Sequence, residues 1–285
     1  MPIEFKNVSY TYARKTPNEY LALYNANLTI NEGEYVAIVG QTGSGKSTLV
    51  QLLNGLTLPT GGELFINDKT TKQICKRNKT TKELRKKIGV VFQFPEYQLF
   101  EETIVKDVAF GLINYGLKKE EAYKKAKEDI LNLGLDESYF EKSPFEISGG
   151  ERRKVAIAGI LALDPDVLVL DEPTAGLDPK SKNDLLDFIE KLHQNGKTII
   201  VVTHDMSLVL KYSNHVIMLD KGEVFFDGNT KDFFLDKKVE ELIEIPDILK
   251  LTRKLIDKGV NIDISKIIST ESLIDAISKW REQNG

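Results

Sequence analysis

Gly40-Gln41-Thr42-Gly43-Ser44-Gly45-Lys46-Ser47 matches G-x-x-x-x-G-K-S/T, the phosphate-binding loop, at every fixed position. Its flanks are those the motif needs. Tyr35-Val36-Ala37-Ile38-Val39 ahead of it reads as a buried strand, and Thr48-Leu49-Val50-Gln51-Leu52-Leu53 behind it as the first turns of a helix. Glycines let the backbone wrap a phosphate with its N–H groups inward, a shape most side chains would block. The helix N-terminus adds unpaired donors and a partial positive charge. In such a loop the lysine, here Lys46, reaches the β- and γ-phosphates, and the hydroxyl of Ser47 ligates Mg²⁺. A glycine-rich turn with a chance lysine is the plain alternative; the strand before and the helix after speak against it. The stretch predicts an α/β chain that binds a nucleoside triphosphate.

A second motif lies at Val167-Leu168-Val169-Leu170-Asp171-Glu172-Pro173. An apolar strand ends in two carboxylates and is stopped by a proline. In phosphoryl-transfer sites an acid at such a strand end holds Mg²⁺, the role that Asp171 fits. Glu172 is then placed to polarise an attacking water as general base. A carboxylate is a weak base near neutrality, so positioning and charge stabilisation must supply most of the rate. Upstream, Ser148 is a natural N-cap for a helix running to Leu163, and Gly149, Gly150 and Glu151 follow it. This is a second phosphate-grade helix start. One nucleotide needs only one phosphate loop, so the second site points to a nucleotide held by another copy.

Composition narrows the class. A net charge of −4 gives no drive toward nucleic acid or a membrane surface. The one cysteine, Cys75, excludes an internal disulfide and a multi-cysteine zinc module, and suits a reducing compartment. The start Met1-Pro2-Ile3-Glu4-Phe5 lacks the pattern of a signal peptide. No apolar run approaches the ~18 residues of a membrane span, so a membrane process would need another chain.

Apolar runs alternate with helical patterns, as in a parallel-sheet core, with further core strands expected at Ile88–Phe92, Val167–Leu170 and Thr198–Val202. Ile3–Tyr12 and Ala22–Ile30 alternate like half-exposed strands and suggest an antiparallel layer, with Glu63–Asn67 beside them. Thr103–Gly134 turns helical, with Ala122, Ala126, Ile130 and Leu133 on one face. Lys69–Lys87, rich in Lys, Arg and Thr, reads as a solvated loop, with a lipid-headgroup patch as the alternative. After Asp227-Gly228 the apolar spacing becomes that of short amphipathic helices, one starting at Pro246 and stopping near Gly259, the last opening at Thr270.

The order of the phosphate loop, Gln93, Ser148-Gly149-Gly150-Glu151, Asp171-Glu172 and His204 resembles the ATP-binding cassette (ABC) ATPases over about residues 3 to 227. The resemblance implies an ABC ATPase core of the P-loop NTPase class with an N-terminal antiparallel β layer, a helical subdomain at about 98–163 and a small helical domain at the end, dividing the chain into 1–228 and 229–285. It implies ATP and Mg²⁺ as ligands. Tyr12 matches the aromatic that stacks on adenine, and residues 40–48, including Thr48, the phosphate site. Gln93 matches the glutamine that touches Mg²⁺ and the attacking water and reports to a membrane partner. Ala175-Gly176-Leu177-Asp178 matches the loop that crosses between two cassettes, and His204 the histidine that contacts the γ-phosphate. The catalytic set implied is Glu172, His204, Gln93 and Lys46; the metal set is Ser47, Gln93 and Asp171. One departure is Glu151, where the family's usual Leu-Ser-Gly-Gly-Gln has glutamine: an anion there could weaken closure on the opposing nucleotide, yet activity is expected.

Val91-Phe92-Gln93-Phe94-Pro95-Glu96-Tyr97-Gln98-Leu99-Phe100 and the helical tail are similar to the ATPases of energy-coupling-factor transporters, more to the second of their two paired ATPases than the first. That implies a heterodimer with a related ATPase, a multi-span membrane scaffold, a small substrate-capture membrane protein, no nucleic acid, and a place on the cytoplasmic face of the cell membrane. The tail would be a dimerisation region. An ATPase of another ABC importer remains the alternative. A soluble ABC protein acting on DNA or ribosomes fits less well: the chain has no coiled-coil insertion, no second cassette and no zinc cysteines.

Overall fold

The computed structural model describes residues 1–284; Gly285, the last residue of the expected tail, lies outside them. Two sheets form the body. The first has the order β2-β1-β4-β5: β1 (Ile3–Tyr12) pairs antiparallel with β2 (Tyr20–Ile30) and β4 (Gly61–Ile66), and β4 with β5 (Lys69–Thr70). The second has the order β10-β9-β3-β8-β7-β6. Its strands β3 (Tyr35–Val39), β6 (Ile88–Val91), β7 (Val167–Asp171), β8 (Thr198–Val202) and β9 (His215–Asp220) run parallel, and β10 (Glu223–Asn229) closes one edge antiparallel to β9. The expected antiparallel layer and the three expected core strands are therefore present; β5, β9 and β10 are additional.

Both faces of the parallel sheet are covered, which is why β3, β7 and β8 are continuous apolar runs. Alternate residues sort to opposite faces. Val36, Ile38, Val169 and Ile200 pack against Ile3, Phe5, Leu23 and Leu64 of the antiparallel sheet, with Leu49, Leu52 and Leu53 of α1 (Lys46–Leu53) between. Leu168, Leu170, Ile199 and Val201 face Leu185, Leu186 and Ile189 of α7 (Pro179–Gln194). A third core holds α4 (Ile104–Asn114), α5 (Lys119–Asn132) and α6 (Gly149–Leu161) together, with Ala122, Ala126, Ile130 and Leu133 inward.

Lys69–Lys87 is not a loop. Thr70 caps α2 (Thr71–Ile74) in a reciprocal box with Gln73, and α3 (Asn78–Lys87) follows. Along α3 Leu84 is buried in the core, so no broad apolar stripe announces the helix. Arg85, Lys86 and Lys87 in its last turn sit at the negative end of its dipole.

α8 (Met206–Tyr212) links β8 to β9, and after β10 the chain ends in α9 (Thr230–Leu235), α10 (Lys237–Glu240), α11 (Asp247–Asp257) and α12 (Thr270–Asn284). Phe233, Phe234, Val239, Ile245, Leu249, Ile262 and Leu273 share a core with Ala37, Val39, Val216 and Met218. The tail thus covers the sheet beside β3 and β9. Among the described residues no helix is long and apolar enough to cross a membrane.

His215 joins three pieces of this edge. As imidazolium it donates from Nδ1 to Glu34 Oε2 (3.0 Å) and from Nε2 to Asp227 Oδ1 (2.6 Å). Burial alone would lower its pKa, but the hydrogen bonds and charges of Asp227 and Glu34 raise it above the ordinary histidine value. A raised pKa stabilises the fold fully below the unfolded value of about 6.5, and the benefit is lost as pH rises through the folded value. Stability is expected to fall on that alkaline side by roughly 1.5–3 kcal/mol, the worth of one charge-assisted hydrogen bond. Unfolding midpoints across this range should show the slope in the wild type and its loss in His215→Gln.

Candidate active site

The C-terminal ends of the parallel strands converge, where ligands bind in open α/β sheets. β3 runs into the phosphate loop. Gly40 has φ +142°, and a Cβ there would lie 2.2 Å from Leu219 O of β9, so the turn is open only to glycine. Lys46 arches back over the loop, donating from Nζ to Gly40 O (2.7 Å) and Gln41 O (2.8 Å). Ser44 is buried under the loop, and its carbonyl accepts from Gly222 N (3.1 Å).

β7 and β8 lie in register, Asp171 opposite Val202. The next residue, Glu172, takes φ +48° and donates its N–H to Val202 O (2.9 Å). That bend sends its side chain toward the loop after β8, where His204 Nδ1 donates to Glu172 Oε1 (2.8 Å). Gln93 enters from the end of β6. One cavity of about 410 Å³ is lined by Thr42, Gly43, Gly45, Lys46, Ser47, Thr48, Gln93, Asp171, Glu172 and His204. Ten of the expected site residues thus meet in one place. Burial, and after it the charge of Glu172, pushes the Asp171 carboxyl above the usual range, with Lys46 pulling it back. Burial pushes the Lys46 ammonium down, against the pull of Glu172 and Asp171.

Tyr12 does not line that cavity. Its hydroxyl donates to Gln51 Oε1 (3.1 Å), lies 3.1 Å from Thr48 Oγ1, and its ring meets Tyr10 edge-on. The tyrosine is tethered to the helix that carries Ser47. Tyr20 lines the cavity instead, half-exposed at the start of β2, its hydroxyl donating to Gly43 O over a long 3.4 Å. The sequence reading missed it. An aromatic leading a strand that packs on the loop is the signal that would have found it.

Ser148, Gly149, Gly150 and Glu151 also stand apart from the cavity, at the exposed start of α6. Ser148 Oγ accepts Glu151 N–H (3.3 Å), and Glu151 Oε2 accepts Ser148 N–H (2.8 Å). Glu151 Oε1 accepts the Tyr139 hydroxyl (2.6 Å), and these bonds, Tyr139 first, hold the carboxyl below its usual range.

The profile of a family described as "ABC transporter" matches residues 23–175, over half of the chain. The chain belongs to the ABC transporter family.

An energy-coupling factor transporter ATP-binding protein, EcfA2, of Streptococcus pyogenes serotype M5 is 50% identical over 282 residues, covering 97% of this chain and 99% of the relative. Among solved structures, CbiO1 of Clostridium perfringens, described as part of the ABC transporter complex cbiONQ, is 35% identical with a TM-score of 0.74, covering 90% of this chain and 96% of that one. A dimeric ATP-binding cassette in a post-hydrolysis state, bound to ADP and phosphate, is 36% identical with a TM-score of 0.71, covering 80% and 98%. As an ABC ATPase the chain binds and hydrolyses ATP.

For an ABC ATPase the Glu151 geometry answers the charge concern. Both carboxylate oxygens are held by donors of the same chain, so the anion is not left facing a nucleotide unpaired. Glutamine can keep the bond to Ser148 N–H through its carbonyl. Turnover by the wild type should be measurable, and Glu151→Gln should change it by no more than about threefold, under 1 kcal/mol in barrier. Steady-state kinetics on the two proteins checks this; no turnover in the wild type and its restoration in the variant would contradict it.

Proposed function

We propose that this chain is one ATPase of an energy-coupling-factor importer, at the cytoplasmic face of the membrane, powering uptake of a vitamin or transition-metal ion. The observation that carries the ATPase chemistry is the single cavity joining Lys46, Ser47, Gln93, Asp171, Glu172 and His204. The importer class is supported by likeness to an energy-coupling-factor ATPase over nearly the whole chain, tail included.

In this reading the loop N–H groups and Lys46 hold the β- and γ-phosphates, and Tyr12 stacks on adenine. The donor set suits Mg²⁺: the Ser47 hydroxyl, the Gln93 amide oxygen and the Asp171 carboxylate are hard oxygens, and a carboxyl raised by burial and then by the charge of Glu172 is relieved by a cation. Bound there, the ion would neutralise charge on the phosphoryl oxygens. Glu172 polarises the attacking water, and the Glu172–His204 bond holds the imidazole toward the γ-phosphate. Ser148–Glu151 completes the site on a partner cassette, most naturally a different ATPase, and the Ala175–Asp178 loop crosses between them. Leu251, Ile256, Ile268 and Ile274 stay exposed on the tail and offer a dimerisation surface. A multi-span scaffold would sense closure near Gln93, and a small membrane protein would capture the substrate. No nucleic acid takes part.

Purifying the tagged chain from gently solubilised cells, with mass spectrometry of what accompanies it, tests the reading. A second single-cassette ATPase, a multi-span protein and small membrane proteins are expected. A permease pair with a solute-binding protein would move the chain to another importer class, and ribosomes or DNA alone would leave only the ATPase.

A further inference from the structure

Arg153 lies on α6, just beyond the Ser148–Glu151 cap, yet its side chain is only 3% exposed. Its guanidinium grips two loops from different strands. Nε donates to Glu96 Oε2 (3.1 Å) and Nη2 to Glu96 Oε1 (2.9 Å), a two-point pair with a carboxylate that is itself 12% exposed. Nη1 donates to Pro173 O (3.2 Å) and Ala175 O (2.5 Å). The ring of Phe94 lies 5.7 Å from the guanidinium carbon.

The two gripped loops are those of the proposed chemistry. Phe94 follows Gln93 and has φ +56°; Glu172, with φ +48°, precedes Pro173. Gln93 therefore precedes a turn held through the Glu96 side chain, and Glu172 a turn held through its carbonyls, by the same buried cation. On the turn Pro95–Gln98, Glu96 points inward while Tyr97 is 83% exposed. A force on the outer side of this turn meets a stiff inner connection.

We propose that Arg153 is a positioning residue that locks the turn after Gln93 to the turn after Glu172, so that both move with α6 as one unit. The lock rests on the importer reading for the source of the force, and on the structure for its parts. Parting Arg153 from Glu96 would leave a buried charge unpaired, so moving the unit whole is the cheaper displacement. Lysine cannot replace the fork, since it lacks the planar set of donors that meets a carboxylate and two carbonyls together. Motion at the surface turn thus reaches this chain's own Glu172 and, through α6, the Ser148–Glu151 cap offered to the partner's nucleotide.

The test uses the full membrane assembly in liposomes and the purified ATPase pair, with Arg153→Gln, Arg153→Lys and Glu96→Gln. ATP KM is expected to stay within about threefold, kcat to fall at least tenfold, and substrate imported per ATP to fall at least fivefold. Lysine should not rescue, and the double variant Arg153→Gln with Glu96→Gln should be no worse than either single one. A folded variant with wild-type kcat, or with wild-type import per ATP, overturns the lock. If the wild-type assembly imports nothing, the importer reading falls, and the split between kcat and KM still decides the lock. If Arg153→Gln does not fold, Glu96→Gln carries the test, because it keeps an acceptor for Arg153; its own failure to fold would reduce the pair to a stability element and overturn the proposal.

Discussion

Replacing Glu172 by glutamine is expected to lower ATP turnover by about 10²–10⁴-fold while ATP still binds and still closes the dimer. The size follows from the place of the residue. Glu172 is 16% exposed, bent into the cavity by a left-handed backbone, and fixed by His204. Glutamine has the same shape and can accept the His204 N–H through its carbonyl, so the geometry should survive and only the basic oxygen is lost. It also removes the negative charge that helps push Asp171 up, so affinity for nucleotide should hold or improve. kcat should therefore collapse with KM little changed, the pattern of an interaction made only in the transition state. In an assembly of two cassettes the loss falls on the site built on this chain's phosphate loop. Single-turnover hydrolysis, with gel filtration in ATP to detect the trapped dimer, separates the two effects. Near-normal turnover would remove Glu172 from the role of base.

Much of this site was legible because its residues are local to strand ends. Gly40–Ser47, Asp171-Glu172 and Ser148–Glu151 each carry their chemistry within a few consecutive residues, beside apolar strands or a helix start. What escaped reading depends on distance or on missing pattern. β9, His215–Asp220, holds a short apolar run after a short helix, and such a run does not by itself separate strand from buried helix. α3 is polar on most of its surface, so it has no stripe to read, although its basic last turn agrees with a helix end. Tyr20 reaches the cavity because β2 packs beside the loop, a contact between sheets. Arg153 sits in the run Arg152-Arg153-Lys154, which names no partner by itself, and only the fold brings Glu96, Pro173 and Ala175 to it. The tail read as helical, but that it packs on β3 and β9 through Phe233, Phe234 and Leu249 is a property of the tertiary fold.

Gly40→Ala should abolish nucleotide binding and lower stability sharply, whereas Gly43→Ala, in the same loop, should do far less. Both glycines have positive φ, +142° and +81°. Holding a non-glycine residue in such a region costs about 1–3 kcal/mol. The difference lies in what a methyl group would meet. At Gly43 nothing lies within 4 Å, so strain is the whole cost. At Gly40 the Cβ would stand 2.2 Å from Leu219 O and 2.7 Å from Ser44 Oγ. Ser44 could rotate away, but Leu219 O belongs to β9, a strand hydrogen-bonded between β3 and β10, and cannot yield without parting the sheet. The alternative is for the loop to lift, which would carry away the Gly40 and Gln41 carbonyls that seat Lys46. Either response spoils the phosphate cradle. The added cost is a large share of a typical folding stability of about 5–15 kcal/mol. Thermal unfolding and calorimetric titration with ATP on both variants separate the cases. Gly40→Ala binding ATP within about threefold of the wild type, or unfolding at the same temperature as Gly43→Ala, would mean that the backbone of β9 does give way and that the loop's shape is not set by its contact with that strand.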